Sequence, residues 1–164
     1  MRKELVLEME LKSTDYAKLI QFAAYRFHNT VLNRTQINKI LFFVYGKYLA
    51  ETGDVLFDDD TPKAWPFGPV FPIVNKRIDI DDIPSGFSDE KNDAYKANMT
   101  ALRIVRESVD YLHDKTAYQL TKWSHKADSP WYETLFPIGE ERLPWNTEIR
   151  RELIASYFKE NPNG

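Results

Sequence analysis

From Ile37 to Leu49 the apolar side chains Ile37, Ile40, Leu41, Val44, Tyr45, Tyr48 and Leu49 recur at three- and four-residue intervals. That period places them on one face of an α-helix, and a stripe so rich in aliphatic and aromatic groups has to be buried by the rest of the chain. Both ends carry stop signals. Asn33 followed by Gln36 is a capping-box pattern, and Gly53 beyond the last turn suits a left-handed C-terminal cap. The expectation is a central core helix with other helices packed round it. A chain of 164 residues can bury roughly 70% of its unfolded surface, enough for such a core without staples. The absence of cysteine excludes disulfide scaffolds, zinc knuckles, thiol nucleophiles and iron–sulfur clusters.

The remaining elements follow from caps and breakers. Ser13 and Thr14 are good N-caps for a helix to about His28, with Leu19, Ile20, Ala23, Ala24 and Phe27 as its buried stripe. Val55 to Pro72 holds four of the nine prolines, which break regular helix. There, Val55–Phe57 and Lys63–Trp65 are expected to form a two-stranded ribbon across the acidic turn Asp58, Asp59, Asp60. A polar surface loop is expected from Asp79 to Asp93, then one helix to about His113 carrying Leu102, Val105, Val109 and Leu112. Thr116 with Gln119 caps a further short helix. Asn146 or Thr147 caps a last one with Ile149, Leu153, Ile154, Tyr157 and Phe158 on its apolar face. The fold class is therefore mainly α: a compact multi-helix domain with a short β-hairpin or small antiparallel sheet.

Residues 13–160 read as one helical domain, with 161–164 as a tail and 1–12 as an extension. In that extension Leu5, Leu7, Met9 and Leu11 alternate with Val6, Glu8, Glu10 and Lys12, the two-residue period of a strand. Such a strand adds to a small sheet or a partner; the other reading is a frayed tail. The longest apolar run, Ile40 to Tyr45, falls far short of the ~18 residues that a membrane span needs, and Glu4, Glu8 and Glu10 interrupt any secretory core. A cytoplasmic address is the expectation. The net charge of −3 argues against nucleic acid as a partner, because phosphate binding needs dense Lys and Arg.

Local chemistry is sparse. His125 with Asp128, and His113 with Asp110 and Asp114, are the groupings of histidine with carboxylate, and neither supplies the three or four ligands of a metal site. His125 reads instead as a residue that caps or packs at its helix end. The Asp58–Asp60 run lacks the spaced ligands of an EF-hand loop and reads as a solvated turn. The scattered glycines assemble neither a Walker loop nor a dinucleotide fingerprint, and no serine sits in a nucleophile elbow. No metal or cofactor is expected.

The unusual segments are Ala64-Trp65-Pro66-Phe67-Gly68-Pro69-Val70 and Leu120-Thr121-Lys122-Trp123-Ser124-His125, with Pro130-Trp131 following. Aromatics beside prolines make stiff apolar surface, suited to a protein contact or to a core corner. Together with Lys39 to Leu49, Gly53 and Leu56-Phe57, these blocks resemble the Panacea domain, the SocA-like antitoxin and "phage-associated protein" family. The resemblance runs from about Asp15 to Phe158. Ser124 stands where the family often has threonine, and Trp123 where an aliphatic residue is commoner.

That resemblance implies a mainly helical, non-enzymatic antitoxin of a type II-like toxin–antitoxin pair, neutralising a cognate protein toxin by direct binding. In one lineage the toxin is delivered to an ATP-dependent protease, the adaptor alternative. Trp65, Gly68, Pro69, Val70, His125, Pro130 and Trp131 match the signature positions and are expected to be structural. A less favoured reading is a phage-associated enzyme with His125 as acid or base. The segment Glu51–Asp93 carries a net charge of −7 against +4 elsewhere. Its Asp58, Asp59, Asp60, Asp79, Asp81 and Asp82 form a candidate toxin-facing acidic patch, fitted to a basic toxin that acts on RNA or nucleotides.

Overall fold

The computed structural model describes residues 10–164, so the alternating segment up to Met9 lies outside the described residues. Eight helices and three short strands are present among these residues: α1 (Ser13–His28), α2 (Arg34–Thr52), β1 (Lys63–Trp65), β2 (Gly68–Val70), α3 (Pro72–Arg77), α4 (Asp89–Lys96), α5 (Met99–Leu112), α6 (Ala117–Ser124), α7 (Pro130–Leu135), β3 (Thr147–Glu148) and α8 (Arg151–Glu160). The fold is mainly α with a minor antiparallel sheet, as the patterning implies.

α2 is the centre, packed by α1, α5, α6, α8 and β2. Every residue from Ile37 to Gly46 is buried, so the helix is covered round its whole circumference and not on a single face. Gly46 is the point of closest approach: a β-carbon there would overlap the Phe158 ring of α8. Its caps form as the sequence implies, Asn33 Oδ1 accepting from the Gln36 amide (2.9 Å), Gln36 Oε1 from the Asn33 amide (2.8 Å), and Gly53 at φ 77° donating to the Leu49 carbonyl. The Thr116–Gln119 box forms likewise on α6. Buried residues from α1 through α8 join one hydrophobic cluster.

Several local expectations are corrected. α1 is not capped by the Ser13 or Thr14 hydroxyl. Ser13 is already its first residue, and its amide (2.9 Å) and hydroxyl (2.8 Å) both donate to the Asp59 carboxylate from a remote loop. Val55–Phe57 is not a strand, because Leu56 and Phe57 turn into the core, where the Phe57 ring meets Tyr16, Tyr45 and Phe71. β1 pairs instead with β2 across Pro66 and Phe67 (Lys63 opposite Val70, Trp65 opposite Gly68) and with β3 on its other edge, giving the order β2-β1-β3. The helix expected from Asp93 is two helices. Ser88 caps α4 and Asn98 caps α5, its Oδ1 accepting from the Ala101 amide (3.1 Å), because a short polar side chain competes for backbone donors and redirects the chain. Asn146 and Thr147 do not cap the last helix. Thr147 opens β3, and α8 starts at Arg151. No helix of the described residues is long and apolar enough to cross a membrane.

Candidate functional site

The two aromatic and proline blocks, about sixty residues apart in sequence, meet at the β1–β2 hairpin. α6 ends at Ser124 and α7 begins at Pro130. Ser129 ties them, its hydroxyl donating to the Ser124 carbonyl (2.8 Å) and accepting from the Tyr132 amide (3.1 Å). This fixes Trp131, whose indole Nε1 donates to the Trp65 carbonyl (2.7 Å). The Trp65 indole in turn donates to Asn146 Oδ1 (2.9 Å), and the Asn146 amide to the Ala64 carbonyl (2.8 Å). The hairpin is thus pinned from both sides by tryptophan hydrogen bonds.

His125 lies against Trp131, ring centroids 3.9 Å apart and 15° from parallel. Its buried Nε2 has no hydrogen-bond partner among the described residues. Burial, and then the positive charge of Lys39, hold its pKa below the ordinary histidine value, the Pro66 carbonyl opposing both. The ring is neutral at pH 7. His125 follows the last turn of α6 as its C-cap and packs there, as the sequence implies, with no hydrogen bond to Asp128, and the imidazole belongs to the hairpin floor.

Lys39 is the residue that sequence reasoning missed. It sits on α2 beside the apolar run, is 1% exposed, and takes part in no ion pair among the described residues. Burial lowers its pKa to about 8. Gly68 lies over it. A β-carbon there would stand 2.5 Å from Ser124 Oγ and 3.1 Å from Lys39 Nζ, and its φ of 114° is hostile to any side chain. Nothing local marks it: Lys39 follows the polar Asn38 and stands just before the apolar run Ile40–Tyr45, and it is the packing round α2 that seals it.

Ser124, Lys39 and His125 are residue types that serve nucleophilic chemistry elsewhere. Here Ser124 Oγ donates to the Thr121 carbonyl (2.9 Å), and both Ser124 and Lys39 are sealed beneath Gly68. What reaches solvent is the hairpin tip. Phe67 is 71% exposed, and on the Trp131 side stand Trp145 and Phe136, with the Arg142 guanidinium 4.1 Å from the Trp145 ring centre. Pro69 and Val70 are buried in β2, and Pro130 is buried at the first turn of α7. The seven signature positions therefore share one neighbourhood.

The six carboxylates of the candidate acidic patch do not share a free face. Asp60 is buried and accepts from the Ile73 (3.0 Å) and Val74 (3.1 Å) amides at the start of α3; burial pushes its pKa up against the pull of those bonds. Asp59 clamps Ser13. Asp58, Asp79, Asp81 and Asp82 remain exposed, with Asp79 accepting from the Asp81 amide (3.0 Å). His113 stacks on His28 (3.7 Å), and His28 Nε2 lies 2.6 Å from Asp110 Oδ1. Among the described residues no three His, Asp or Glu side chains are grouped to hold a metal ion.

A family model described as antitoxin SocA-like, Panacea domain, matches residues 37–132, more than half of the chain and inclusive of Lys39 and all seven signature positions. Neither the curated proteins nor the solved structures offer a match.

Proposed function

The chain belongs to the SocA-like antitoxin family with a Panacea domain, and from that premise we propose that it neutralises a cognate protein toxin by binding it directly, with no catalysis of its own. The observation that carries this reading is where the signature residues go. Trp65, His125 and Trp131 are consumed in holding one another and the hairpin, and the side chain they raise into solvent is Phe67. An exposed aromatic on a stiff, proline-flanked turn loses little rotamer entropy on binding, which is the property of an interface anchor. Polar groups locked and covered in this way suit grip better than turnover. The exposed Asp58, Asp79, Asp81 and Asp82 favour encounter with a basic toxin, of the kind that acts on RNA or nucleotides, in the cytoplasm.

The test is co-expression with a small neighbouring reading frame that is lethal alone. Rescue by the wild-type chain, and at least ~10-fold weaker binding by a folded Phe67→Asp variant, is the expected result. A Phe67→Asp protein that binds and rescues like wild type removes the hairpin from the interface. Toxin levels measured with and without the ATP-dependent proteases separate masking from delivery: constant levels with rescue mean masking, and protease-dependent loss means an adaptor. Saturable turnover of any nucleotide or peptide that vanishes in a folded His125→Phe variant would replace the antitoxin reading by an enzymatic one.

A further inference from the structure

A second concave surface lies between α1 and α5, roofed by α4 and the segment before it. Leu19, Phe22 and Phe27 of α1 face Leu102 and Val105 of α5 across a mostly apolar cavity of about 460 Å³. One wall is aromatic: the Phe87 ring is 5.3 Å from that of Phe22 and 5.1 Å from that of Tyr95. From Leu19 to Phe27 the helix rises about 12 Å, the length of two helical turns. That span accepts the three side chains at i, i+3 or i+4, and i+7 of a partner helix.

The charge of the lining is opposite to that of the chain. Its ionisable cations are Lys96 and Arg106, and no carboxylate lines it, although the protein carries −3 overall. Arg106 is stacked over the Phe27 ring (3.5 Å) and bonded to Asp110 (3.1 Å), whereas Lys96 is exposed and joins no ion pair among the described residues. We propose that this groove takes an acidic amphipathic helix of the protein partner, its apolar stripe between α1 and α5 and its carboxylates beside Lys96. The proposal rests on the toxin-binding reading and names a local acidic element of the toxin, distinct from the basic surface that the exposed aspartates would meet, as the contact that would add to the hairpin's grip.

The probe is a fluorescein-labelled synthetic helix of about four turns, with leucine at i, i+4 and i+7 and glutamate on both flanks, against the same peptide with lysine flanks. Gly86→Trp blocks the groove mouth without strain, because nothing lies within 4 Å of a β-carbon there. Lys96→Glu alters charge on an exposed side chain. The acidic peptide is expected to bind ~10-fold tighter than the basic one at low salt, to weaken ~10-fold with Gly86→Trp, and to lose its advantage with Lys96→Glu. Equal binding of both peptides, or binding indifferent to a folded Gly86→Trp, overturns the proposal. So does dimerisation in sedimentation that Gly86→Trp abolishes, which gives the groove to a second copy, or displacement of a bound dye by dodecanoate with no peptide binding, which gives it to a small amphiphile. Rescue from the toxin is scored in parallel. Rescue that survives both substitutions sinks the groove and leaves the antitoxin reading standing, while failure of the wild-type chain to rescue sinks that reading itself.

Discussion

The imidazole of His125 and the indole of Trp131 stack at 3.9 Å, although one ends α6 and the other lies in the first turn of α7, and the indole holds the Trp65 carbonyl of the hairpin at 2.7 Å. Two helix ends are thereby converted into a clamp on a turn. Burial, and then the charge of Lys39, favour the neutral ring, and a neutral ring beside the Lys39 ammonium adds no second charge to a buried place.

Trp131 is the keystone of that clamp. Trp131→Ala is expected to cost about 3–5 kcal/mol, since it removes a buried aromatic and its hydrogen bond together. Trp131→Phe keeps an aromatic ring against His125 and loses only the bond to the Trp65 carbonyl, at about 1 kcal/mol. Urea unfolding of both variants checks the order; equal losses would show that the bond matters more than the ring.

Two glycines offer a matched contrast. Gly68→Ala meets Ser124 Oγ at 2.5 Å and is strained at φ 114°, so a loss of about 3 kcal/mol is expected. Gly86→Ala meets nothing and should lie within about 0.5 kcal/mol of wild type. Thermal melts of the pair are sufficient, and indistinguishable melting points would refute the packing described at Gly68.

Lys39 gives the protein a pH signature. Its folded pKa of about 8 lies below its unfolded value, so the unfolded chain binds more protons between those two values and stability rises with pH across that window. Near pH 10 the trend reverses, because the phenols of Tyr16 and Tyr95, held protonated by burial, ionise more readily in the unfolded chain. Lys39→Met should flatten the rise above pH 8 and stabilise the protein at pH 7 by an amount on the order of 1–3 kcal/mol. Unfolding free energies from pH 7 to 10.5 for both proteins decide it. A wild-type curve with no rise above pH 8 contradicts a charged buried lysine.

The acidic segment divides into two roles. Asp60→Ala strips acceptors from the Ile73 and Val74 amides and is expected to cost about 1–3 kcal/mol of stability. Replacing Asp58, Asp79, Asp81 and Asp82 together by lysine should leave stability nearly unchanged and slow toxin association several-fold at low salt. Unaltered on-rates would end the steering idea while leaving direct binding intact.

What the chain declares about itself in one dimension is what depends on near neighbours. The helix around Val44, the Asn33–Gln36 and Thr116–Gln119 boxes and the Gly53 cap are each settled within a helical turn or two, and each forms as read, although the helix is buried on every side and not on one face. The mainly helical class follows from the same local periods, and the aromatic and proline blocks stood out before their contacts were known. Partners remote in sequence were not legible. Whether Asp59 faces water or caps α1 from a distant loop, whether Lys63–Trp65 pairs with Val55–Phe57 or with Gly68–Val70, and whether the lysine beside an apolar run is sealed or exposed are settled by which helices close round α2. Packing makes those choices because hydrophobic burial is non-directional: it selects a set of side chains to hide, and only the assembled shape decides which backbone and charged groups are hidden with them.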